Sequence, residues 1–393
     1  MPIVEHGLPE LVQQETSAGR LTFGLDSSAA AAQSDFVFLC LPTPEGADGH
    51  ADLSFVEQVA FQIGTFLRPG ACVITKSTVP VGTHAVVEAA LGRDDVHVVS
   101  NPEFLAEGSA VRDCLDPDRV VVGARDPAVA ASVALLFGPG AMDRSIITDL
   151  PSAELIKYAS NAYLATRLTF VNSIAELCEK AGADIRSVVA GMGSDSRIGE
   201  AFLRPGPGWG GSCFPKDTQA LVRTADRLGC DLALVKAAID ANAYHTARVF
   251  QKMMDASGGA VKGKRVAVWG LTFKAGTNDL RQSPALALAE MLLGGGATVH
   301  AYDPTVEPGL HNGVEAHSSA LAACRNADAL LVATEWPEFA EVEMRELAAI
   351  MRGRVIVDAR NLLDADAVSD HGFVYHAVGM APRHPGVQVT AAV

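Results

Sequence analysis

Short apolar runs that alternate with helical patterns constrain the fold of this 393-residue chain more than any other feature. The first series of strand candidates comprises residues 20–24, 35–41, 71–75, 96–100 and 119–123. Continuous apolar runs are typical of strands that a parallel sheet buries on both faces. The alternation predicts a right-handed parallel α/β unit, with the loops at Thr43, Thr78 and Glu103 along one edge of its sheet.

A long helical pattern then interrupts the alternation. Apolar residues recur at helical spacing from about Asp149 to Lys180, and helical patterns return at 217–228 and 232–256. A second series of strand candidates begins near residue 266 and continues at 298–304, 329–334 and 355–358. We therefore predict two Rossmann-like α/β domains, over 1–148 and 259–393, joined by a helical middle domain over 149–258 that contains a long central helix.

A glycine-rich loop, residues 206–217, carries one cysteine to the start of a predicted helix. Pro215 and the run after it are typical of a helix start, and the glycines leave room for a ligand beside the backbone. The partial positive charge of a helix N-terminus, with Lys216 nearby, favours the thiolate of Cys213 over its thiol. We interpret Cys213 as a covalent nucleophile. The alternative is a small buried hydrophobic residue, which is the commoner role of an isolated cysteine.

Three polar residues have spacings that bear on this interpretation. Asp217 lies one helical turn after Cys213, so its carboxylate can share the surroundings of the thiol. Lys157 and Asn161 are four residues apart on the predicted long helix and therefore project from one face. A solvated polar stripe is the alternative explanation of that second pair.

The composition limits the partners of the chain. The formal net charge of −15 argues against a nucleic-acid backbone or an anionic membrane, although local cationic groups can still bind a small anion. The seven cysteines are scattered and contain no CxxC pair, which favours a reducing cytoplasm and gives no zinc motif or other metal signature. No secretory signal or membrane-spanning run is expected.

Motifs spread along nearly the whole chain resemble those of the UDP-glucose/GDP-mannose dehydrogenase family. The matching segments are residues 76–82, 101–108, 154–161, 210–217, 270–274 and 360–361. The resemblance implies an NAD-dependent enzyme that oxidises the primary alcohol of UDP-glucose to the carboxylate of UDP-glucuronate, without release of the aldehyde. GDP-mannose and UDP-N-acetylhexosamines are alternative substrates, because other family members share the mechanism.

The resemblance also implies roles for individual residues. Cys213 would form a thiohemiacetal and then a thioester, and Lys157 and Asn161 would stabilise the oxyanion. Asp217 would position or deprotonate water, with help from Glu103 and Thr78. The division of labour between Asp217 and Glu103 stays open.

Further residues would bind the ligands. The residues matching the family's NAD pocket are Thr43, Ser77, Glu107 and Arg281. Those expected to hold the nucleotide sugar are Phe104, Leu105, Ala106, Arg197, Arg204, Gly206, Gly210, Phe273, Lys274 and Arg360. In the family, the arginine at the position of Arg197 reaches the substrate of a neighbouring subunit, so a homodimer or higher homo-oligomer is implied.

The chain departs from the family pattern at its beginning. The family starts with a strand, a GxGxxG turn, a helix and a second strand, and this segment is not found in the 393 residues. The expectation is an incomplete N-terminal sheet with one unpaired edge. Two hypotheses follow: an active dehydrogenase whose given start is too far downstream, or a short form that serves as a sugar-nucleotide-binding or oligomer partner.

Overall fold

The computed structural model describes residues 4–44, 46 and 51–386. The chain forms two compact units, one of Met1–Tyr163 with Lys216–Leu232 and the other of Leu164–Pro215 with Ala233–Val393. Two helices, α7 (Leu150–Ala181) and α9 (Phe214–Arg227), each contribute residues to both units. The units are described separately below.

The first unit contains one sheet of five strands. These strands are β1 (Phe36–Leu39), β2 (Cys72–Thr75), β3 (His97–Ser100), β4 (Val120–Ala124) and β5 (Ser145–Thr148). Its shorter helices are α1 (Leu8–Ser17), α2 (Ser27–Ala31), α3 (Ser54–Gly64), α4 (Thr83–Leu91), α5 (Ala110–Leu115) and α6 (Pro127–Ala134). The strands follow one another in chain order across the sheet, and all neighbours are parallel except β3 and β4.

The predicted strands of this unit are confirmed with one exception. Residues 20–24 form no strand and pair with no strand of the described chain, and the Phe23 side chain is largely exposed. That prediction is wrong because a short apolar run without a partner strand gains nothing from an extended conformation. The antiparallel pairing of β3 with β4 also departs from the wholly parallel order that the alternation predicted.

The two faces of this sheet bury different residues, as alternation along a strand requires. Val73 of β2 packs into a cluster with α3 and α4 residues, including Val56 and Val87. Cys72 and Ile74 belong to the cluster on the other face, which α6 covers. The strand is therefore buried throughout, and its continuous apolar sequence follows from that position.

The second unit is built on a sheet of seven strands. Its strands are β6 (Arg265–Trp269), β7 (Thr298–Tyr302), β8 (Gly309–His311), β9 (Val314–Ala316), β10 (Ala329–Val332), β11 (Val355–Asp358) and β12 (Val374–Ala377). Its other helices are α8 (Ile185–Gly193), α10 (Ala233–Ala256), α11 (Pro284–Gly294), α12 (Ala320–Cys324), α13 (Pro337–Ala340), α14 (Met344–Ile350) and α15 (Ala365–Asp370). The order across the sheet is β12, β11, β10, β6, β7, β9, β8.

This strand order creates a switch point beside β6. The chain proceeds from β6 to β7 on one side and later places β10 on the other side, with all three strands parallel. Ligands of open α/β sheets bind at the carboxyl ends of strands that flank such a point. Gly270, directly after β6, has a φ of +87°, and a Cβ there would lie 2.2 Å from the Cβ of Thr334. A close approach of the turns after β6 and β10 therefore requires glycine at this position.

None of the helices in the described ranges is long and apolar enough to cross a membrane.

Candidate functional site

Asp217 is a fully buried carboxylate in the first turn of α9, and two side chains of the first unit hold it. The Nδ2 atom of Asn161, on α7, donates a hydrogen bond to its Oδ2 atom over 2.5 Å. The Nζ atom of Lys216 donates to its Oδ1 atom over 2.6 Å. Both carboxylate oxygens therefore have a donor, as a buried charge requires. The structure thus brings together two of the predicted catalytic residues, Asn161 and Asp217.

Lys157, one helical turn before Asn161, forms a second buried contact of this unit. Its Nζ atom lies 3.1 Å from Oε1 of Glu103, in the loop that follows β3, and only 5% of the lysine side chain is exposed. The other oxygen of Glu103 accepts a hydrogen bond from the backbone N–H of Leu105. The Lys157 ammonium also lies 5.4 Å from the centre of the Phe104 ring. Lys157 and Glu103, predicted separately, are therefore partners.

Two further buried polar residues of α7, Glu154 and Tyr158, lie near these side chains and were not predicted as site residues. Glu154 accepts hydrogen bonds from the backbone N–H groups of Gly82 and His84, at 2.7 and 2.8 Å, where α4 begins. The hydroxyl of Tyr158 is buried and has no hydrogen-bond partner among the described residues. Burial, followed by the charges of Asp217 and Glu154, raises the pKa of Tyr158 above its ordinary value. Glu154 and Tyr158 precede Asn161 by seven and three residues, and this helical spacing is the sequence feature that could have predicted them.

The turns after β1 and β2 lie side by side at the carboxyl edge of the first sheet. The hydroxyl of Thr43 donates to the backbone carbonyl of Thr78 over 2.9 Å, and both residues are buried. The Ser77 hydroxyl donates to the Leu41 carbonyl and accepts from the Leu41 N–H, at 2.7 and 2.8 Å. These turns fit the position at which parallel sheets bind a dinucleotide. The hydroxyl groups of Thr43 and Ser77 thus hold the two turns together through hydrogen bonds to the backbone.

The loop after β3 contains the remaining predicted ligand residues of the first unit. Leu105 and Ala106 are exposed, and Glu107 is half-buried. The backbone N–H of Ala106 donates to Asp113 over 3.0 Å. The buried Glu5 accepts hydrogen bonds from the N–H groups that follow Glu107, at positions 108 and 110. This acid therefore anchors the loop to the segment before α1.

In the second unit, the cysteine loop is anchored by polar side chains of α7 and α10. Gly206 donates its N–H to Oδ1 of Asn172 over 3.0 Å, and its carbonyl oxygen lies 2.6 Å from Nε2 of His245. The buried Trp209 donates its indole N–H to the hydroxyl of Thr169 over 2.8 Å. The loop conformation is therefore fixed by groups far away in sequence. The sequence did not predict this anchoring role for Asn172, Thr169 and His245. Its only indication was that each is a polar residue within a predicted helix.

Cys213 directly precedes the first residue of α9, as predicted from the helix-start pattern. Its side chain is half-buried, and its Sγ atom lies 3.6 Å from Oγ of Ser212. None of the seven cysteines forms a disulfide. The position at the helix N-terminus places the thiol where the helix dipole favours negative charge.

Two glycines of the loop lie against the second unit's sheet turns. A Cβ at Gly210 would lie 2.0 Å from the carbonyl oxygen of Gln282. Gly211 has a φ of +81°, and a Cβ there would lie 2.8 Å from the Phe273 ring. Glycine is therefore required at both positions by the close packing of the backbone.

Arg360, after β11, connects the ends of three strands at the switch point. It donates from Nε to the Ala333 carbonyl after β10 and from Nη2 to the Phe273 carbonyl after β6, each over 2.9 Å. Glu335 lies 3.0 Å from Nε of the same guanidinium group. Lys274 is half-buried, with its ammonium group 5.6 Å from the Phe273 ring centre. The structure therefore gathers Phe273, Lys274 and Arg360 at the carboxyl edge of this sheet.

The other predicted arginines of the second unit are on its surface. The guanidinium group of Arg197 pairs with Asp195 over 2.6 Å, and 87% of the arginine side chain is exposed. Arg281 pairs with Asp279 over 2.8 Å and is exposed as well. Arg204 is also exposed. These three side chains are not gathered around Arg360 by any contact that the structure describes.

Family models match three consecutive segments of the chain. The NAD binding domain of the UDP-glucose/GDP-mannose dehydrogenase family matches residues 1–139. The central domain of that family matches residues 151–244, and its UDP binding domain matches residues 267–365.

Curated relatives agree with these matches. The chain is 43% identical over 394 residues to UDP-glucose 6-dehydrogenase of Rhizobium meliloti (strain 1021), covering 96% of this chain and 90% of the relative. It is 42% identical over 389 residues to UDP-glucose 6-dehydrogenase TuaD of Bacillus subtilis (strain 168), covering 96% of this chain and 84% of the relative.

A solved structure shows the same architecture over most of its length. A UDP-glucose dehydrogenase from the hyperthermophilic archaeon Pyrobaculum islandicum superposes with a TM-score of 0.87 at 35% sequence identity, covering 97% of this chain and 88% of that one. The matched domains, the relatives and the fold lead to one conclusion. The chain belongs to the UDP-glucose/GDP-mannose dehydrogenase family.

Proposed function

We propose that this chain catalyses the NAD-dependent oxidation of UDP-glucose to UDP-glucuronate. The relatives from Rhizobium meliloti and Bacillus subtilis, at 43% and 42% identity, are named UDP-glucose 6-dehydrogenases, and the substrate assignment rests on them. The structural observation that best supports this chemistry is the buried hydrogen bond between Asn161 and Asp217, in the first turn of α9. Cys213 immediately precedes this helix. Two NAD⁺ molecules, bound one after the other, would each accept one of the two hydrides that the alcohol-to-acid oxidation removes.

Cys213 is the proposed nucleophile. Its thiolate adds to the aldehyde carbon, and the carbonyl oxygen becomes the oxyanion or hydroxyl of a thiohemiacetal. The carbon–sulfur bond of the thiohemiacetal prevents release of the aldehyde, and loss of the second hydride from this carbon then gives the thioester. Water then adds to the thioester carbon, the carbon–sulfur bond breaks, and the thiolate leaves with formation of the carboxylate.

The buried polar side chains of the first unit are proposed to control charge and protons in these steps. The Lys157 ammonium and the Asn161 amide stabilise the oxyanion, and their burial strengthens each interaction. Asp217 accepts the proton of the attacking water. Glu103 balances the charge of Lys157 in the absence of an oxyanion, and Thr78 helps to position water.

The carboxyl edges of the two sheets are the proposed ligand-binding regions. Thr43, Ser77, Glu107 and Arg281 belong to the proposed NAD pocket. The UDP-sugar is held by Lys274 and Arg360, by residues 104–106, by Phe273, and by Arg204 with the loop glycines Gly206 and Gly210. The corresponding functional division is an NAD-binding part over 1–148, a central part over 149–258 and a UDP-sugar-binding part over 259–393.

We also propose that the enzyme is a cytoplasmic homodimer. The absence of disulfides among its seven cysteines favours a reducing compartment. Phe170 and Leu177, seven residues apart on α7, are exposed large apolar side chains, as is Tyr244 on α10. A second copy of the chain would bury such side chains. Arg197, with most of its side chain exposed, is then available to a substrate in the partner subunit.

The test is the yield of NADH from UDP-glucose and NAD⁺, measured by absorbance with purified full-length chain. We expect two NADH for each UDP-glucuronate formed, loss of turnover in Cys213→Ser, and normal turnover in Cys230→Ser, which changes an exposed cysteine of the other unit. GDP-mannose and UDP-N-acetylglucosamine serve as competing substrates.

Absence of NADH formation, with UDP-glucose binding retained in calorimetry, would overturn the enzyme assignment in favour of a sugar-nucleotide-binding partner. Faster turnover of another nucleotide sugar would overturn only the substrate assignment.

A further inference from the structure

Two histidines and one glutamate converge on one face of the second sheet, far along the chain from the proposed catalytic residues. His300 lies on β7 and Glu315 on β9, and the parallel register pairs these two residues directly. His317 follows two residues after Glu315, and its backbone N–H donates to the Ala301 carbonyl over 2.8 Å, which continues the ladder. Alternation along the strands therefore puts all three side chains on the same face.

The potential ligand atoms of these side chains are close enough to share one ion. Nδ1 of His300 lies 3.0 Å from Nε2 of His317 and 3.1 Å from Oε2 of Glu315. Nε2 of His317 lies 3.7 Å from Oε1 of Glu315. Tetrahedral ligands about 2.1 Å from a Zn²⁺ ion are separated by about 3.4 Å. The three observed separations bracket this value.

The opposed histidine nitrogens explain why an ion suits this geometry. When each ring carries its proton on its other nitrogen, the lone pairs of Nδ1 of His300 and Nε2 of His317 face each other over 3.0 Å, and one cation can bind both of them. The side chain of His300 is only 8% exposed, that of His317 19%, and that of Glu315 55%. The site is therefore shielded on its histidine side and open to solvent on its carboxylate side.

Two charged side chains near the cluster act on a bound cation in opposite directions. Arg265 is close enough to His300 to repel the cation, and the Glu315 carboxylate offsets that repulsion. Each histidine binds a metal through the lone pair of a neutral imidazole nitrogen.

We propose that His300, Glu315 and His317 form a binding site for one divalent transition-metal ion of the Zn²⁺ class. Two imidazole nitrogens and one carboxylate oxygen are the ligand types that Zn²⁺ accepts, and water would complete the coordination from the exposed side. The ion would connect β7 to β9 and stabilise the folded second unit in proportion to its occupancy. This inference does not depend on the proposed oxidation. No metal signature was expected from the sequence, because only the pairing of β7 with β9 brings His300 to the other two ligands.

The experiment is a titration of the chelator-treated full-length chain with Co²⁺, followed by absorption spectroscopy. Co²⁺ reports tetrahedral nitrogen and oxygen ligands through visible bands and reports thiolate ligands through a separate near-ultraviolet band. We expect one equivalent to bind without the thiolate band. The affinity should fall at least about tenfold in His317→Ala and in Glu315→Gln, since even an outer partner of a metal ligand changes affinity by that factor.

His311→Ala is the matched control. This exposed histidine is on neighbouring β8, and its register partner is Val314, so it lies on the opposite face from Glu315. Zn²⁺ should raise the Tm of the unmodified chain and of His311→Ala, but not that of His317→Ala. Equal Co²⁺ affinity in all variants, or a thiolate band in the bound complex, would overturn the proposal. Glu315→Gln keeps the test meaningful if His317→Ala fails to fold.

Discussion

Asn161 and Asp217 are joined by a buried hydrogen bond of 2.5 Å although 56 residues separate them in the chain. The contact links the amide on α7 to the carboxylate at the start of α9. Lys216 donates to the other oxygen of Asp217, so the carboxylate is held from two directions. The two hydrogen bonds fix the orientation of the buried carboxylate, and the proposed role of Asp217 in proton transfer depends on that orientation.

Asp217→Asn should lower kcat by about 10²–10⁴-fold, the usual contribution of a positioned general base. The amide keeps the size of the side chain but cannot accept the proton of the attacking water. The measurement is steady-state NADH formation, with intact-mass analysis for a sugar adduct on Cys213. The control is Asp226→Asn, which changes an exposed acid on the same helix. A kcat within twofold of the unmodified chain would contradict the assigned role.

Tyr158→Phe should leave the free energy of unfolding unchanged or raise it by about 1 kcal/mol. The tyrosine hydroxyl is buried with no hydrogen-bond partner in the described structure, and its removal relieves an uncompensated desolvation. Urea unfolding of the two proteins gives the difference. A loss of stability larger than about 1 kcal/mol would mean that the hydroxyl has a bridging water as its partner.

Gly210→Ala should destabilise the folded chain by about 1–3 kcal/mol through overpacking. The added Cβ would lie 2.0 Å from the backbone oxygen of Gln282, which cannot move aside as a flexible side chain could. Gly191→Ala is the control, since a Cβ there meets nothing within 4 Å and the position is helical. Thermal and urea unfolding measure both variants. Equal stability of the two would show that the loop can shift away from Gln282.

Strands that are buried at every position could be predicted from the sequence. Strands that form only by pairing with a strand far away in the sequence could not. Strand β2 is buried at every position, so its apolar run was sufficient to identify it. Strand β5 (Ser145–Thr148) is largely half-exposed, and residues 20–24 have a similar apolar content without a partner strand. Strand β5 pairs with another strand and residues 20–24 do not, and the local sequence pattern carries no information about such pairing.

The same limit applies to the site. The position of Cys213 before a helix follows from local glycine and proline preferences, and the sequence predicted it. The partnership of Lys157 with Glu103 depends on the packing of α7 against the loop after β3, so no spacing rule indicated it. The anchoring of the cysteine loop by Asn172 and His245 was missed for the same reason.

His376 on β12 should make the second unit less stable as the pH falls. Burial, with the charges of Lys252 and His384, lowers the pKa of His376 from 6.5 to about 4. Between these two values the unfolded chain binds more protons at this residue than the folded chain does. The stability contribution is therefore complete above pH 6.5 and is lost as the pH falls towards 4, with a loss of about 1–2 kcal/mol after allowance for solvent screening.

The measurement is urea unfolding at a series of pH values for the unmodified chain and for His376→Gln. The variant should show a shallower dependence of the unfolding free energy on pH in this interval, because its amide does not titrate. His371→Gln, at an exposed histidine of the same unit, should keep the original slope. If both variants and the unmodified chain follow one curve, His376 is protonated in the folded chain as readily as in the unfolded one, and its burial does not control acid stability.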